Sequence, residues 1–276
     1  MEGITITVIQ NLHTHTNYCD GADTPEEVVL CAIEKGFSSI GFSGHSFTPY
    51  SKEFSKIGDH TEEYKKDIKS LKEKYKDRIE IYLGLEVDMF SEPDLSGYDY
   101  LIGSVHYLKK DGVFIDFDKG AKEVEEIIRT CFHGDGMAYA KAYYKTLAQL
   151  PVYGNFDIIG HFDIITKHCD SRNFFDITSK EYCDAAFEAA AALKGKIPFF
   201  EVNTGAIARG YRKTPYPSVA LIKEMKRLGF GAVITADCHD KRKLDYRFLE
   251  ATELLRECGY KEKYILTKNG FEAVPL

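Results

Sequence analysis

With 276 residues, 44% of them hydrophobic, the chain has ample apolar material for one large α/β domain or two smaller ones. A net charge of −7 excludes a general polyanion binder, since the basic clusters at Lys65-Lys66 and Lys241-Arg242-Lys243 are short or interrupted by acids. The seven cysteines are odd in number, scattered and without a C-x-x-C, as expected for free thiols in a reducing cytoplasm; there is no basic-then-apolar leader, and no apolar run nears the ~18 residues that span a bilayer.

The chain opens with Ile4-Thr5-Ile6-Thr7-Val8-Ile9, a β-branched run that reads as a strand. His13 and His15 follow, two residues apart and so aimed to one side of an extended chain, with Asp20 five residues on. Two imidazoles and a carboxylate suit a divalent metal such as Zn, Mn or Fe, although an isolated H-x-H is a weak signal. Thr24-Pro25-Glu26-Glu27 is an N-cap with a capping box and Pro in the first turn, opening a helix that stops at Gly36. Ser39 to Ser46 is a short strand ending in His45, and a charged helix runs from about Glu62 to Tyr75. Ile79 to Asp88 is a third strand with Glu86 near its end, and Tyr100 to Tyr107 a fourth ending in His106. An excursion with expected helices over Phe117–Cys131 and Gly136–Leu150 leads to a fifth strand, Asp157 to Asp163, which contains His161. A helix over 179–193, a strand over 198–205, a helix over 218–228 and a strand over 231–239 follow, the last delivering Asp237 and His239. A final helix over 244–258 precedes a weakly marked strand at 264–267.

Strand and helix alternate throughout, and no linker or composition shift divides the chain. The expectation is a single domain over residues 1–276: a parallel sheet closed by helices, with seven well-marked strands. Active sites of such barrels gather at the C-terminal strand ends. Here those ends carry His13, His15, His45, Glu86, His106, His161, Asp237 and His239. A lone strand-end histidine is more often a structural hydrogen-bonder; six of nine histidines falling this way in order reverse that reading. His60 and His133 read as surface or capping residues, Cys19 and Cys238 as small packing residues, and the tyrosines at 139–144 as core or lid. Asp88, Asp163 and Asp240 could either support a ligand from behind or sit solvated in loops.

These motifs together resemble the PHP (polymerase and histidinol phosphatase) superfamily, and most closely its histidinol-phosphate phosphatase branch. The resemblance covers nearly the whole chain and rests on His13-Thr14-His15, Asp20-Gly21, Gly44-His45-Ser46, Gly84-Leu85-Glu86, Gly103-Ser104-Val105-His106, Ile159-Gly160-His161-Phe162-Asp163 and Asp237-Cys238-His239. Glu201-Val202-Asn203-Thr204-Gly205 and Thr214-Pro215-Tyr216-Pro217-Ser218 suggest the phosphatase branch. The resemblance implies a distorted (β/α)7 TIM-like barrel with two to three divalent ions (Zn, Mn or Fe). By position, His13, His15, Glu86 and Asp237 would hold one ion, and Glu86 would bridge to a second completed by His106 and His161. Asp20, His45 and His239 would hold the third. Two departures stand out: some relatives have histidine in place of Asp20, and many have aspartate in place of Asn11, whose carboxylate would support a ligand.

The chemistry implied is phosphomonoester hydrolysis of L-histidinol phosphate to L-histidinol and phosphate, in histidine biosynthesis. Two ions joined by Glu86 would share a hydroxide that attacks phosphorus in line, with Glu86, Asp237, His13 and His239 as the catalytic set. Arg209 and Arg212, after the sixth strand, are candidates to clamp phosphate, with Lys167 and the Ser104 hydroxyl as further candidates. The expected partner is a small phosphate ester, with neither nucleic acid nor membrane involved. A phosphodiesterase or exonuclease of the same superfamily and a non-catalytic metal-binding module are the competing readings.

Overall fold

The computed structural model describes residues 8–51 and 59–276, so most of the expected first strand, 4–7, lies outside the described residues. Seven parallel strands form one sheet: β1 (Gln10–Asn11), β2 (Ser39–Phe42), β3 (Glu80–Asp88), β4 (Tyr100–Ser104), then, beyond two further strands, β7 (Ile158–Ile159), β8 (Phe199–Asn203) and β9 (Gly231–Thr235). Neighbours pair in that order, and the sheet closes on itself just past β1 and β9. There Thr14 and Cys238 form a parallel bridge, with the His15 N–H donating to Cys238 O at 2.8 Å and the Cys238 N–H to His13 O at 2.9 Å. The closure is made by the residues that flank the candidate ligands.

The barrel is filled by Leu12, Tyr82, Tyr100, Ile102, Ile158, Val233 and Leu266. Tyr100 fits only because Gly41 and Gly84 lie against its ring; a Cβ at either position would overlap it. Its hydroxyl donates to Leu12 O. The weakly marked segment at 264–267 is not an eighth barrel strand. It belongs to β10 (Glu262–Thr267), which pairs antiparallel with β11 (Gly270–Pro275). Gln10 docks this hairpin to the barrel through two bonds with Leu266, both 2.8 Å.

Helices pack outside. α1 (Pro25–Glu34) has the expected capping box on Thr24 and Glu27, and α2 (Thr61–Lys74) turns Tyr64, Ile68 and Leu71 to the core. The excursion after β4 differs from expectation at its start. An antiparallel hairpin, β5 (Tyr107–Lys110) and β6 (Val113–Asp116), precedes α3 (Ala121–Cys131) and α4 (Gly136–Leu147). The alternating, β-branched Val113-Phe114-Ile115 makes this hairpin, and Gly120 delays the helix. α5 (Lys180–Leu193), α6 (Val219–Leu228) and α7 (Phe248–Glu257) complete the layer. Tyr139, Tyr143 and Tyr144 are buried against α5, with the Tyr144 and Tyr182 hydroxyls 2.6 Å apart, so that stripe is core. All seven cysteines are free, and no described helix is long and apolar enough to cross a membrane.

Candidate metal centre

The seven strands end around one carboxylate. Glu86, in the last turn of the pleat of β3, is 1% exposed. Its Oε2 lies 3.3 Å from His13 Nε2, 3.5 Å from His15 Nε2 and 3.0 Å from His45 Nδ1; its Oε1 lies 2.9 Å from His161 Nε2 and 3.4 Å from His106 Nε2. Asp237 Oδ1 stands 3.2 Å from His15 Nε2 and 3.7 Å from His13 Nε2. On the outer side, Asp20 Oδ2 is 3.1 Å from His239 Nε2 and 3.6 Å from His45 Nε2, and Asp20 Oδ1 is 3.3 Å from His15 Nδ1. All nine expected ligands are therefore brought together. Three groups have their donor atoms within 4.8 Å of one another: His15, Asp20, His45 and His239; His13, His15 and Glu86; and His45, Glu86 and His106.

Backbone geometry explains the convergence. His13 and His15 flank Thr14 in extended chain, and His45 bridges in parallel to Glu86. Asp237 takes φ of 44°, a left-handed conformation that aspartate tolerates better than most residues. It places Asp237 and His239 on either side of the bridging Cys238.

The donor set fits a divalent cation. His13 Nε2, His15 Nε2 and Glu86 Oε2 are buried, converge within 3.5 Å, and make no hydrogen bond. Buried polar atoms are ordinarily satisfied, and an imidazole–carboxylate set of this kind is what Zn, Mn or Fe prefers. Electrostatics agree. Burial alone would drive His13 and His106 toward the neutral form. For His13 the charges of Glu201, Glu86 and Asp237 outweigh burial, and for His106 mainly that of Glu86, so both are pushed up to about 10. Burial also opposes ionisation of Glu86, Asp20 and Asp237, yet their cationic neighbours hold all three well below the usual carboxylate range. A cation at this cluster takes the place of those protons.

Residues 11–205 match the PHP domain family. The chain belongs to it. A Deinococcus radiodurans relative described as a probable histidinol-phosphatase is 28% identical over 270 residues, covering 92% of this PHP chain and 95% of the relative. The histidinol-phosphatase of Bacillus subtilis is 26% identical over 261 residues, covering 86% and 95%. Among solved structures, the histidinol phosphate phosphatase of Lactococcus lactis, crystallised with zinc, L-histidinol and phosphate, shares the fold with a TM-score of 0.70 at 20% identity, over 95% of this chain and 98% of that one.

The PHP cluster floors an open cleft of about 230 Å³, walled by Asp118, Ile164, Lys167, Arg209 and Tyr211. The four expected phosphate-binding side chains part company here. Arg209 lies on the wall, donating to Asp237 Oδ2 at 2.8 Å and Asp237 O at 3.0 Å, with Nη1 2.9 Å from His239 Nδ1. Lys167 also lies on the wall, 2.7 Å from Asp118 Oδ1 and over the Tyr211 ring. Ser104 and Arg212 are placed otherwise. The Ser104 hydroxyl is fully buried and donates to Glu86 Oε1 at 2.7 Å, so it steadies that carboxylate. Arg212 is 5% exposed and does not reach the cleft; its guanidinium bonds the Thr166 and Thr214 hydroxyls beside the Tyr216 ring.

Several residues escaped the sequence reading. Asp118 lay in a stretch read as helix. Asp88, left open between two roles, accepts the His106 N–H at 3.0 Å and the Tyr50 hydroxyl, so it supports that histidine. Asn11 does not leave a carboxylate missing: its side chain pins backbone groups of His13, Ala236 and Leu244. The carboxylate at His13 Nδ1 is Glu201, 2.8 Å away. Its position near the end of a strand, like that of Glu86, was the available signal.

Proposed function

We propose that the chain is a single-domain, metal-dependent histidinol-phosphatase that hydrolyses L-histidinol phosphate to L-histidinol and phosphate in the cytoplasm, serving histidine biosynthesis. The observation behind it is one buried carboxylate, Glu86, within 3.5 Å of five imidazoles at the floor of a small cleft with two cationic side chains on its wall. The full-length likeness to histidinol-phosphatases supports the choice of substrate.

His13, His15, Glu86 and Asp237 would hold one ion; Glu86, His106 and His161 a second; Asp20, His45 and His239 a third. Zinc, manganese and iron all suit such donors. Bound there, divalent ions supply Lewis acidity that lowers the pKa of water toward neutrality and offset charge gathering on a phosphoryl group. The chain's own groups do the rest. Ser104 and the strand-end histidines keep Glu86 fixed and ionised. Arg209, anchored to Asp237, presents a planar guanidinium able to bind phosphate oxygens bidentately, and Lys167 adds a second cation. Asp118 brings a carboxylate to the same wall, a match for the ammonium group of an amino-alcohol phosphate. A cleft of this size, in a chain of net charge −7, suits a small ester rather than a polyanion.

The test is phosphate release from L-histidinol phosphate beside p-nitrophenyl phosphate and a dinucleotide diester, with chelator and with added Mn or Zn. Selective, chelator-sensitive hydrolysis of histidinol phosphate is the expected result. Cleavage of the diester alone moves the function to a nuclease-like activity, and no cleavage with any metal makes the chain a binding module.

A further inference from the structure

Glu201, on β8, is completely buried and does not reach the cleft, yet four hydrogen bonds converge on its carboxylate. Oε2 is 2.8 Å from both His13 Nδ1 and the Thr235 hydroxyl. Oε1 accepts the His161 backbone N–H at 2.6 Å and the Asn203 side-chain amide at 2.7 Å. Asn203 cannot turn its oxygen toward Glu201, because that oxygen already accepts the Gly205 N–H at 2.8 Å. The His161 N–H and the Asn203 amide can therefore only donate to the carboxylate, and the Thr235 hydroxyl and His13 Nδ1 can each supply a hydrogen. An ionised carboxylate only accepts, and has lone pairs for all four; a neutral amide of the same shape would face at least one of them with its own N–H.

The four partners are not a random sample of the core. His13 and His161 belong to two different expected ion sites, and Thr235 lies two residues before Asp237 in β9. Once Nδ1 of His13 must donate to Glu201, the other nitrogen, Nε2, is left with its lone pair toward Glu86, and it is Nε2 that makes no hydrogen bond. We propose that Glu201 is the positioning residue of the metal centre: it fixes the His13 tautomer with the proton on Nδ1 and ties the His13, His161 and Asp237 strand ends to one point, touching neither ion nor substrate. The inference rests on the reading of the cluster as a metal centre.

The experiment is zinc titration of chelator-stripped protein against a chromophoric competitor, on the wild type and on Glu201→Gln, with circular dichroism to check the fold. Glu201→Gln is expected to bind at least one ion about 10- to 100-fold more weakly, the usual cost of losing such a support. Affinities within about twofold of wild type for every ion would overturn the proposal. A wild type that takes up no zinc would remove the metal reading itself, a failure distinct from equal binding by both proteins. Should Glu201→Gln not fold, the zinc-loaded wild type still answers, through nitrogen–proton correlation spectra of its histidines. A proton on Nδ1 of His13 supports the proposal; one on Nε2 defeats it.

Discussion

Arg209 and Arg212 are three residues apart, yet one stands on the cleft wall and the other is sealed among hydroxyls. The difference separates binding from stability. Arg212→Ala is expected to remove the positive charge that offsets the buried Asp163 carboxylate and pairs with Asp170 at 3.7 Å, and to cost about 2–3 kcal/mol of folding stability while leaving KM unchanged, as urea unfolding and steady-state kinetics on the same sample would show. Lys167→Ala is expected to raise KM roughly 10-fold by the loss of one charge-assisted contact to phosphate, and to give up as well its ion pair with Asp118. A rise in KM for Arg212→Ala would return that residue to the binding set. Asp118 has a pH signature. Burial would raise its pKa, but Lys167 first, then His106, hold it at about 2, below the ordinary 3.8. A depressed folded value means the stabilisation is complete above about pH 4 and disappears as the pH falls toward 2. In chelator, Asp118→Asn is expected to be less stable than wild type by about 1 kcal/mol above pH 4, a figure kept small by the solvent at the edge of the pair. That difference should vanish near pH 2, and a constant gap across the range would contradict the assignment.

At the scale of the element, close approach inside the barrel decides more than propensity does. Glycine weakens a strand, yet Gly41 and Gly84 sit in β2 and β3 because the Tyr100 ring occupies the space their side chains would need. Gly84→Ala is expected to overpack this interior and cost about 1–3 kcal/mol, read as a lower urea midpoint with an unchanged slope. No loss of stability would show that the ring can move aside. β1 and β7 are only two residues long, and each is followed at once by side chains of the cluster. The chain leaves the ladder where it delivers His13 and His15, or His161. Elsewhere the local signals suffice, as with the Thr24 capping box of α1 and the Ser179 cap of α5.

For the whole molecule, the cluster joins residues from six strand ends and from the loop holding Asp20, so any ion bound there is linked to folding. Ligands that bind only the native state stabilise it by about 2.7 kcal/mol at one hundred times Kd. In a chain of this size each kcal/mol moves Tm by about 2–4 °C. Chelator is therefore expected to lower Tm by about 5–10 °C, and zinc or manganese to restore it; calorimetry that shows no shift would argue against resident ions.

The sequence by itself determined the alternation that makes a parallel barrel, most helix starts, and the nine residues, Glu86 among them, that meet in the cluster. Periodicity, capping and strand-end position are local, and the resemblance of ordered motifs supplied the rest. Tertiary structure alone decided what depends on ring closure. It gave His13 a carboxylate partner 188 residues away, put the Ser104 hydroxyl on Glu86 rather than toward the cleft, buried Arg212, and paired 262–267 with the chain end instead of the barrel. A side chain's neighbours across a closed barrel are set by the register of all seven strands together. No single stretch of sequence encodes that.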